Sequence, residues 1–166
     1  AAGNLVTTTD ARGGTITLLY DMTYRQIGTL DRLGNKTTTT FDAAGNIIAS
    51  SDELGRVTRA TYDVLNRLVS KTDPVNGVTT YTYDARGNRL SETDPLGRVT
   101  TYTYDALNRL TQATNALGGT SSIVYDAVGN ILTRTDELGR ITNYTYDALN
   151  RLIDLKDALG GVTKYT

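Results

Sequence analysis

The chain has 166 residues and a formal net charge of −1, and it contains no Cys, His or Trp. This composition excludes disulfides, zinc sites of the usual kind and triads that use His, and the balanced charge argues against a nucleic-acid partner. No apolar run approaches the roughly 18 residues that would indicate a transmembrane helix. The 11 Tyr residues and abundant Thr favour strands over helices, so the sequence predicts an all-β protein.

An aromatic residue followed by Asp recurs every 21 residues, without an insertion, from the first such pair to the last. The pairs are Tyr20 and Asp21, Phe41 and Asp42, Tyr62 and Asp63, Tyr83 and Asp84, Tyr104 and Asp105, Tyr125 and Asp126, and Tyr146 and Asp147. The first repeat is degenerate, because Tyr24 stands where later repeats have Gly or Asn. A fixed period of this length indicates a tandem repeat.

A second series of Asp or Asn interleaves with the first, also every 21 residues. It comprises Asp10, Asp31, Asp52, Asp73, Asp94, Asn115, Asp136 and Asp157. Three residues later stands Gly or, once, Asn. From residue 31 these are Gly34, Gly55, Asn76, Gly97, Gly118, Gly139 and Gly160. Asp suits the first position of a type I turn, and both Gly and Asn tolerate positive φ.

Two turns in 21 residues leave two runs of about six residues, the usual strand length. Each repeat is therefore predicted to be an antiparallel β-hairpin, with a parallel β-solenoid of 21-residue coils as the alternative. An apolar residue recurs in one strand at Val6, Ile27, Ile48, Val69, Leu90, Leu132 and Ile153, with Thr111 as the exception. The leucines that immediately precede the glycines of this second series are expected to fold inward over the sheet edge. They are Leu33, Leu54, Leu96, Leu117, Leu138 and Leu159.

A period of 42 residues lies over the period of 21. Asn-Arg at residues 66–67, 108–109 and 150–151 alternates with Gly-Asn at residues 45–46, 87–88 and 129–130. Two explanations remain open at this point. Either pairs of repeats were duplicated together, or successive hairpins occupy two different environments.

The motifs Tyr-Asp-Ala-Leu-Asn-Arg-Leu (104–110), Tyr-Asp-Ala-Val-Gly-Asn (125–130) and Asp-Glu-Leu-Gly-Arg (136–140) resemble Rhs, or tyrosine–aspartate (YD), repeats. Members of that family include Rhs polymorphic toxin cores, cocoon components of insecticidal toxin complexes, and the teneurins. The resemblance implies hairpins joined side by side in one long curved or spiralling antiparallel sheet. In the toxins such a sheet encloses an effector, and in teneurins it belongs to an adhesion ectodomain, so the resemblance implies a secreted or cell-surface location.

Residues 1–166 are expected to form a single array of about eight repeats, open at both ends and belonging to a longer array. Exposed strand edges template further pairing, and neither end shows a protective cap sequence. The expected partners are therefore further repeats, of the same chain or of neighbouring copies, and the segment is not expected to be a free monomer.

No catalytic residue, cofactor or metal site is predicted, and the chain is not expected to be an enzyme. The repeated Asp residues fit neither common calcium-binding pattern and are explained more simply as turn formers. Asp94-Pro-Leu-Gly97 resembles part of the autoproteolysis signature of Rhs toxin cores, but it occupies an ordinary turn slot of the repeat.

A binding surface is the alternative function, in a secreted adhesin or toxin that recognises glycans or a cell-surface receptor. Its candidate stripe combines Tyr81, Tyr102 and Tyr144 with Arg56, Arg98 and Arg140. The favoured interpretation of the same residues is a cross-strand Tyr ladder with Arg at its rim. Asn35 and Asn143 match the N-glycosylation acceptor pattern. Together these observations predict a non-catalytic structural scaffold, a segment of a β-shell or of an extracellular repeat filament.

Overall fold

A computed structural model describes residues 5–9, 11 and 13–166. The described residues fall into two compact units, one that ends at residue 80 and one that begins at residue 81. The first unit contains β1 (Leu5–Thr9), β2 (Thr15–Tyr20), β3 (Gln26–Asp31), β4 (Lys36–Phe41), β5 (Ile47–Ser51), β6 (Val57–Tyr62), β7 (Leu68–Thr72) and the start of β8 (Val78–Tyr83). The second contains the end of β8 and β9 (Arg89–Thr93), β10 (Val99–Tyr104), β11 (Leu110–Thr114), β12 (Thr120–Tyr125), β13 (Ile131–Thr135), β14 (Ile141–Tyr146), β15 (Leu152–Lys156) and β16 (Val162–Lys164).

The strands follow chain order in one sheet of 16 strands. Neighbouring strands run antiparallel, for example β9 with β10 and β10 with β11. The all-β hairpin prediction is therefore confirmed, and the parallel solenoid alternative is wrong. No part of the chain that the structure describes forms a helix, so none there is long and apolar enough to cross a membrane.

Each repeat has two turns: the first turn follows the aromatic–Asp pair, and the second turn begins at the interleaved series of Asp or Asn. The two kinds of turn join their strands differently. Hairpins closed by the second turn keep a regular register, as in the pairing of Val99 with Thr93. Beside the first turn the register shifts, because Tyr125 pairs with Ile131 while Val124 pairs with Thr133. Leu132 lies between Ile131 and Thr133 and is paired with no residue of the opposite strand, so it is a β-bulge residue. The same shift leaves over the recurring apolar position in five other hairpins, at Ile27, Ile48, Val69, Thr111 and Ile153.

The sheet has no buried hydrophobic core within the described residues. Side chains alternate between faces as a pleated strand requires, so Tyr102 and Tyr104 are half-buried whereas Thr101 and Thr103 are exposed. Gly28 is buried, and a Cβ there would overlap the backbone carbonyl oxygen of Thr37. Each unit is thus stabilised by contacts between neighbouring strands rather than by a second layer.

The expectation that leucines fold inward over the sheet edge is wrong. The six leucines that precede the second turn glycines are each at least 77% exposed, and Leu159 reaches 95%. These side chains have nothing to pack against, because the sheet is a single layer and only a second layer could bury them.

Left-handed backbone conformations occur where the sequence predicts them. The φ angles of Gly55, Gly97 and Gly139 are 73°, 76° and 75°, and that of Asn76 is 67°. Tyr24 also has a positive φ, 62°, although a bulky residue rarely adopts it. The turn is imposed by its hydrogen bonds, since the amide of Tyr24 donates to the Asp21 carbonyl at 3.1 Å. The Asp10 turn position lies outside the described residues.

Candidate functional site

Every turn from residue 21 onward spans five residues and begins at one of the repeated Asp or Asn positions. The first turns are residues 21–25, 42–46, 63–67, 84–88, 105–109, 126–130 and 147–151. The second turns are residues 31–35, 52–56, 73–77, 94–98, 115–119, 136–140 and 157–161. The first-turn edge and the second-turn edge are the borders of the sheet that these two sets form.

A single carboxylate organises each turn that begins at Asp, as the turn at Asp105 illustrates. Its Oδ1 accepts the amide of Leu107 at 2.9 Å and the amide of Arg109 at 3.0 Å. Its Oδ2 accepts Nε of Arg109 at 2.6 Å. The second turn at Asp94 has the same arrangement, with Leu96 and Arg98 as donors. The local chemistry of the two turns is therefore the same.

These hydrogen bonds stabilise the charged form of the carboxyl groups. The backbone amide of Arg109 contributes most to holding the pKa of Asp105 below its usual range, and the backbone amide of Arg98 does so for Asp94. A general acid or base works best with a pKa near neutrality, and these shifts move the groups away from it. Asp94 precedes Pro95, yet it has the same kinds of partner as Asp136, which precedes Glu137.

The tyrosine of the aromatic–Asp pair donates a hydrogen bond from its hydroxyl to the neighbouring hairpin. Tyr104 Oη donates to the carbonyl of Arg89 at 3.0 Å, and Tyr125 Oη donates to the carbonyl of Leu110 at 3.1 Å. Tyr62 does the same within residues 1–80, donating to Ile47 at 3.1 Å. The acceptor lies at the start of a strand, just beyond the last ladder pair toward the first-turn edge. The tyrosine therefore continues the contact between hairpins where the backbone ladder stops.

Neighbouring first turns are linked by asparagine side chains. Nδ2 of Asn88 donates to Oδ1 of Asn108 at 2.9 Å, and Asn130 donates to Asn150 at 3.0 Å. The same bond occurs in the first unit, from Asn46 to Asn66 at 2.9 Å. In each pair the donor ends a Gly-Asn turn, and the acceptor is the left-handed Asn of the Asn-Arg turn that follows.

The next junction along the edge uses an arginine instead. Nη1 of Arg109 donates to the carbonyl of Asp126 at 3.2 Å, and its guanidinium lies 4.5 Å from the ring centroid of Tyr125. Arg25 lies over Phe41 in the same way, at 4.7 Å. The 42-residue period thus corresponds to two alternating kinds of junction, which supports the explanation that successive hairpins occupy different environments.

The second turns lack such links. Within each of the two units, no hydrogen bond of the described residues from residue 31 onward joins one second turn to the next. Their arginines are accordingly more exposed: Arg98 is 62% exposed, against 26% for Arg109 on the first-turn edge.

The predicted aromatic and cationic stripe is assembled differently from what we expected. Arg98 pairs with its own turn carboxylate. The guanidinium that lies over the Tyr rings belongs to Arg89, 4.7 Å from the centroid of Tyr102 and 5.8 Å from that of Tyr81. Arg89 also donates to the Tyr102 hydroxyl at 3.1 Å and pairs with Glu92 at 3.0 Å. Burial raises the pKa of Tyr81. The Arg56 and Arg140 guanidinium groups likewise pair with turn carboxylates, of Asp52 and Asp136.

The remaining sequence candidates are separate from this cluster. Tyr144 lines a shallow depression of about 540 Å³ together with Arg134, Thr142 and Leu159. Asn35 donates its side-chain amide to Asp31 at 2.7 Å, as a turn residue does, and Asn143 is exposed on β14. No group of three or more acidic side chains that could hold a metal ion occurs within the described ranges.

Several solved structures share this fold. A crystal structure of TcdB2-TccC3-Cdc42 is 21% identical over 92% of this chain, with a TM-score of 0.62. A Photorhabdus luminescens Tc holotoxin pore is also 21% identical over 92% of the chain, with a TM-score of 0.61. A crystal structure of TcdB2-TccC3 is 19% identical over 99%, with a TM-score of 0.56. The chain spans 9%, 9% and 12% of these respective chains.

No curated protein matched the sequence. The family model for the RHS repeat matches residues 41–78, 62–99, 83–120 and 125–166. Those ranges contain six of the seven aromatic–Asp pairs, together with the turns and junctions that follow them. The chain therefore belongs to the RHS repeat family.

Proposed function

We propose that this chain is a non-catalytic structural scaffold, a wall segment of a YD β-shell or of an extracellular repeat filament. The observation that carries the proposal is the absence of any buried hydrophobic side chain in the described residues, together with bonds between successive hairpins within each unit. A polypeptide stabilised only along the direction of its repeats is suited to spanning or enclosing.

The chemistry of the carboxylates supports the same role. Eleven turn aspartates have a pKa below the usual range because they accept hydrogen bonds from their own turns. They are Asp21, Asp31, Asp42, Asp52, Asp63, Asp84, Asp94, Asp105, Asp126, Asp136 and Asp147. Their oxygens hold the turns, which accounts for the recurrence of Asp without a catalytic role.

Residues 1–166 form, on this proposal, one array of about eight hairpins within a longer array, in a secreted or cell-surface protein. One of the similar solved structures is a Tc holotoxin pore, which supports a shell, although this chain spans only 9% of that chain. The partners of the array are further repeats. All residues of β1 and β16 are exposed, and their outer edges are suited to strand pairing.

Light scattering of the purified chain over a range of concentrations tests this assignment. We expect the mass to rise in steps of one 18.0 kDa chain, with amide protection of β1 and β16 increasing as copies associate. A chain that stays monomeric at high concentration, melts cooperatively and already protects both end strands would contradict the proposal.

Glycan or receptor binding has less support. Sugars stack on open aromatic faces, whereas the guanidinium of Arg89 lies over the rings of Tyr81 and Tyr102. A glycan array probed with the labelled chain separates the two functions. The scaffold predicts no selective binding, while binding that Tyr144→Ser removes and Tyr144→Phe keeps would favour the alternative.

A further inference from the structure

The two classes of first turn differ in what they offer to the next hairpin. A Gly-Asn turn presents an Asn amide, as Asn88 does, and the Asn-Arg turn after it provides the acceptor, the side chain of Asn108. The Asn-Arg turn then presents Arg109, which reaches the carbonyl of Asp126 in the following Gly-Asn turn. Each class therefore donates to the opposite class.

Two turns of the same class do not match in this way. A Gly-Asn turn followed by another would place the donor amide opposite a glycine, which has no side-chain acceptor. An Asn-Arg turn followed by another would place the guanidinium opposite a side chain at the left-handed position. Nη1 of Arg109 lies 3.8 Å from the Cβ position of Gly129, which is ordinary contact, so a longer side chain at residue 129 would compete with the guanidinium for the space beside that turn.

The exposed fraction of the arginine side chains in the Asn-Arg turns indicates whether a following Gly-Asn hairpin covers them. Arg109, which has a Gly-Asn turn after it, is 26% exposed, whereas Arg151 is 74% exposed and has no first turn after it in this sequence. The two have the same local bonds to their own aspartates. The difference is consistent with a neighbouring hairpin that covers the guanidinium.

We propose that the first-turn edge is a selective interaction surface. On it, a hairpin with an Asn-Arg turn binds a hairpin with a Gly-Asn turn, and the reverse, whereas two hairpins of the same class do not fit. The unit of assembly is then a pair of hairpins, 42 residues long, rather than the single 21-residue repeat. This rule holds whether the array builds a shell or a filament. The hairpin that fits beyond Arg151 is one that begins with Tyr-Asp-x-x-Gly-Asn.

An exchange of two turn sequences tests the rule without changing length or composition. The exchanged variant carries Val128→Leu, Gly129→Asn and Asn130→Arg, with Leu149→Val, Asn150→Gly and Arg151→Asn. In the full chain it places two Asn-Arg turns next to each other, at residues 105–109 and 126–130. We expect its melting temperature to fall by about 3 °C.

The same exchange is then made in a chain that lacks residues 105–125, one complete repeat. That deletion brings the Gly-Asn turns at residues 84–88 and 126–130 together, and the exchange restores alternation. Here we expect the exchange to raise the melting temperature by about 3 °C. An effect of the same sign in both backgrounds, or no effect in either, overturns the proposal.

A control on the other edge exchanges Arg140→Gly with Gly161→Arg. The Asp157 carboxylate must turn to accept the new arginine, as Asp136 accepts Arg140. Because these second turns make no bonds to each other, we expect this change to move the melting temperature by less than about 1 °C. If the chain that lacks residues 105–125 folds only when it also carries the first-turn exchange, the rule is supported. If neither deleted form folds, the full chain decides: a loss confined to the first-turn exchange supports the rule, and equal losses on both edges overturn it.

Discussion

The first-turn edge and the second-turn edge use the same local turn and differ in what surrounds it. On both edges one carboxylate accepts two backbone amides and an arginine, as Asp105 and Asp94 do. Among the described residues, only those of the first-turn edge add a β-bulge, a Tyr hydroxyl bond and side-chain links to the next turn. Local sequence thus forms each hairpin, while the residues that flank the first turn join hairpins into a wall.

The consequence is a sheet with one linked border and one open border. The leucines of the second-turn edge are at least 77% exposed, and no link of the kind that holds Asn88 to Asn108 protects them. We therefore expect the second-turn edge to open first and the first-turn edge to persist.

Acid should have the largest effect, because it acts on both edges at once. The folded pKa values of Asp105 and Asp136 lie below their unfolded values, so their stabilisation is complete above about pH 4 and is lost as the pH falls through the folded pKa. Melting temperature against pH should be flat near neutrality and fall steeply below about pH 4.

The turn at Asn115 is an internal control for that prediction. Its amide oxygen accepts the amides of Leu117 and Gly119 at 2.9 Å without a titrating group. Hydrogen exchange in acid should therefore show protection at these amides outlasting that at Leu138 and Arg140, which donate to Asp136. Earlier loss at the Asn115 turn would contradict the assigned role of the carboxylates.

Substitution of the left-handed glycine should have the next largest effect. Gly97 has a φ of 76° and open space around its Cβ position, so any penalty comes from the backbone alone. Gly97→Val should lower the free energy of unfolding by about 2 kcal/mol, and Gly97→Asn by less than about 1 kcal/mol. Equal losses in chemical denaturation would refute the left-handed assignment and, with it, the equivalence of the turns on the two edges.

Removal of one tyrosine hydroxyl isolates a link between hairpins. Tyr104→Phe should lower the free energy of unfolding by about 1 kcal/mol, because the carbonyl of Arg89 loses its donor. Tyr144→Phe is the matched control, since the Tyr144 hydroxyl makes no hydrogen bond to a described residue. Similar losses for both variants in urea denaturation would mean that the link adds nothing.

The smallest effect is expected from a single asparagine. Asn108→Gly and Asn76→Gly make the same change at φ angles of 62° and 67°. Only Asn108 accepts a bond from a neighbouring turn, so its replacement should cost about 0.5–1 kcal/mol more than that of Asn76. The difference between the two variants in denaturant titrations measures the cross-turn bond itself.

The hairpins were predictable from sequence because their signals are local. Asp followed three residues later by Gly or Asn specifies a turn within five residues, and the 21-residue spacing gives the order of strands. The inward folding of Leu138 was wrong, since its exposure depends on whether a second layer exists, which a repeat pattern does not reveal. The contact of Arg89 with two Tyr rings depends on which residues face each other on neighbouring strands, and the spacing of residues along the chain does not specify that.

The junctions were only partly predictable. The alternation of residues 87–88 and 108–109 was visible in the sequence and indicated two environments as one explanation. It could not show that Asn88 and Asn108 meet, because their turns are 21 residues apart and joined only through the sheet. Similarly, nothing local in the sequence indicates that Tyr104 donates to Arg89.

Amide hydrogen exchange at matched positions of the two edges tests the central claim most directly. The amides of Leu107 and Arg109 donate to Asp105, and those of Leu96 and Arg98 donate to Asp94, at distances from 2.9 to 3.0 Å. Since the local bonds are alike, any difference in protection reports the links between hairpins. The account predicts slower exchange at Leu107 and Arg109, and equal or faster exchange there would contradict it.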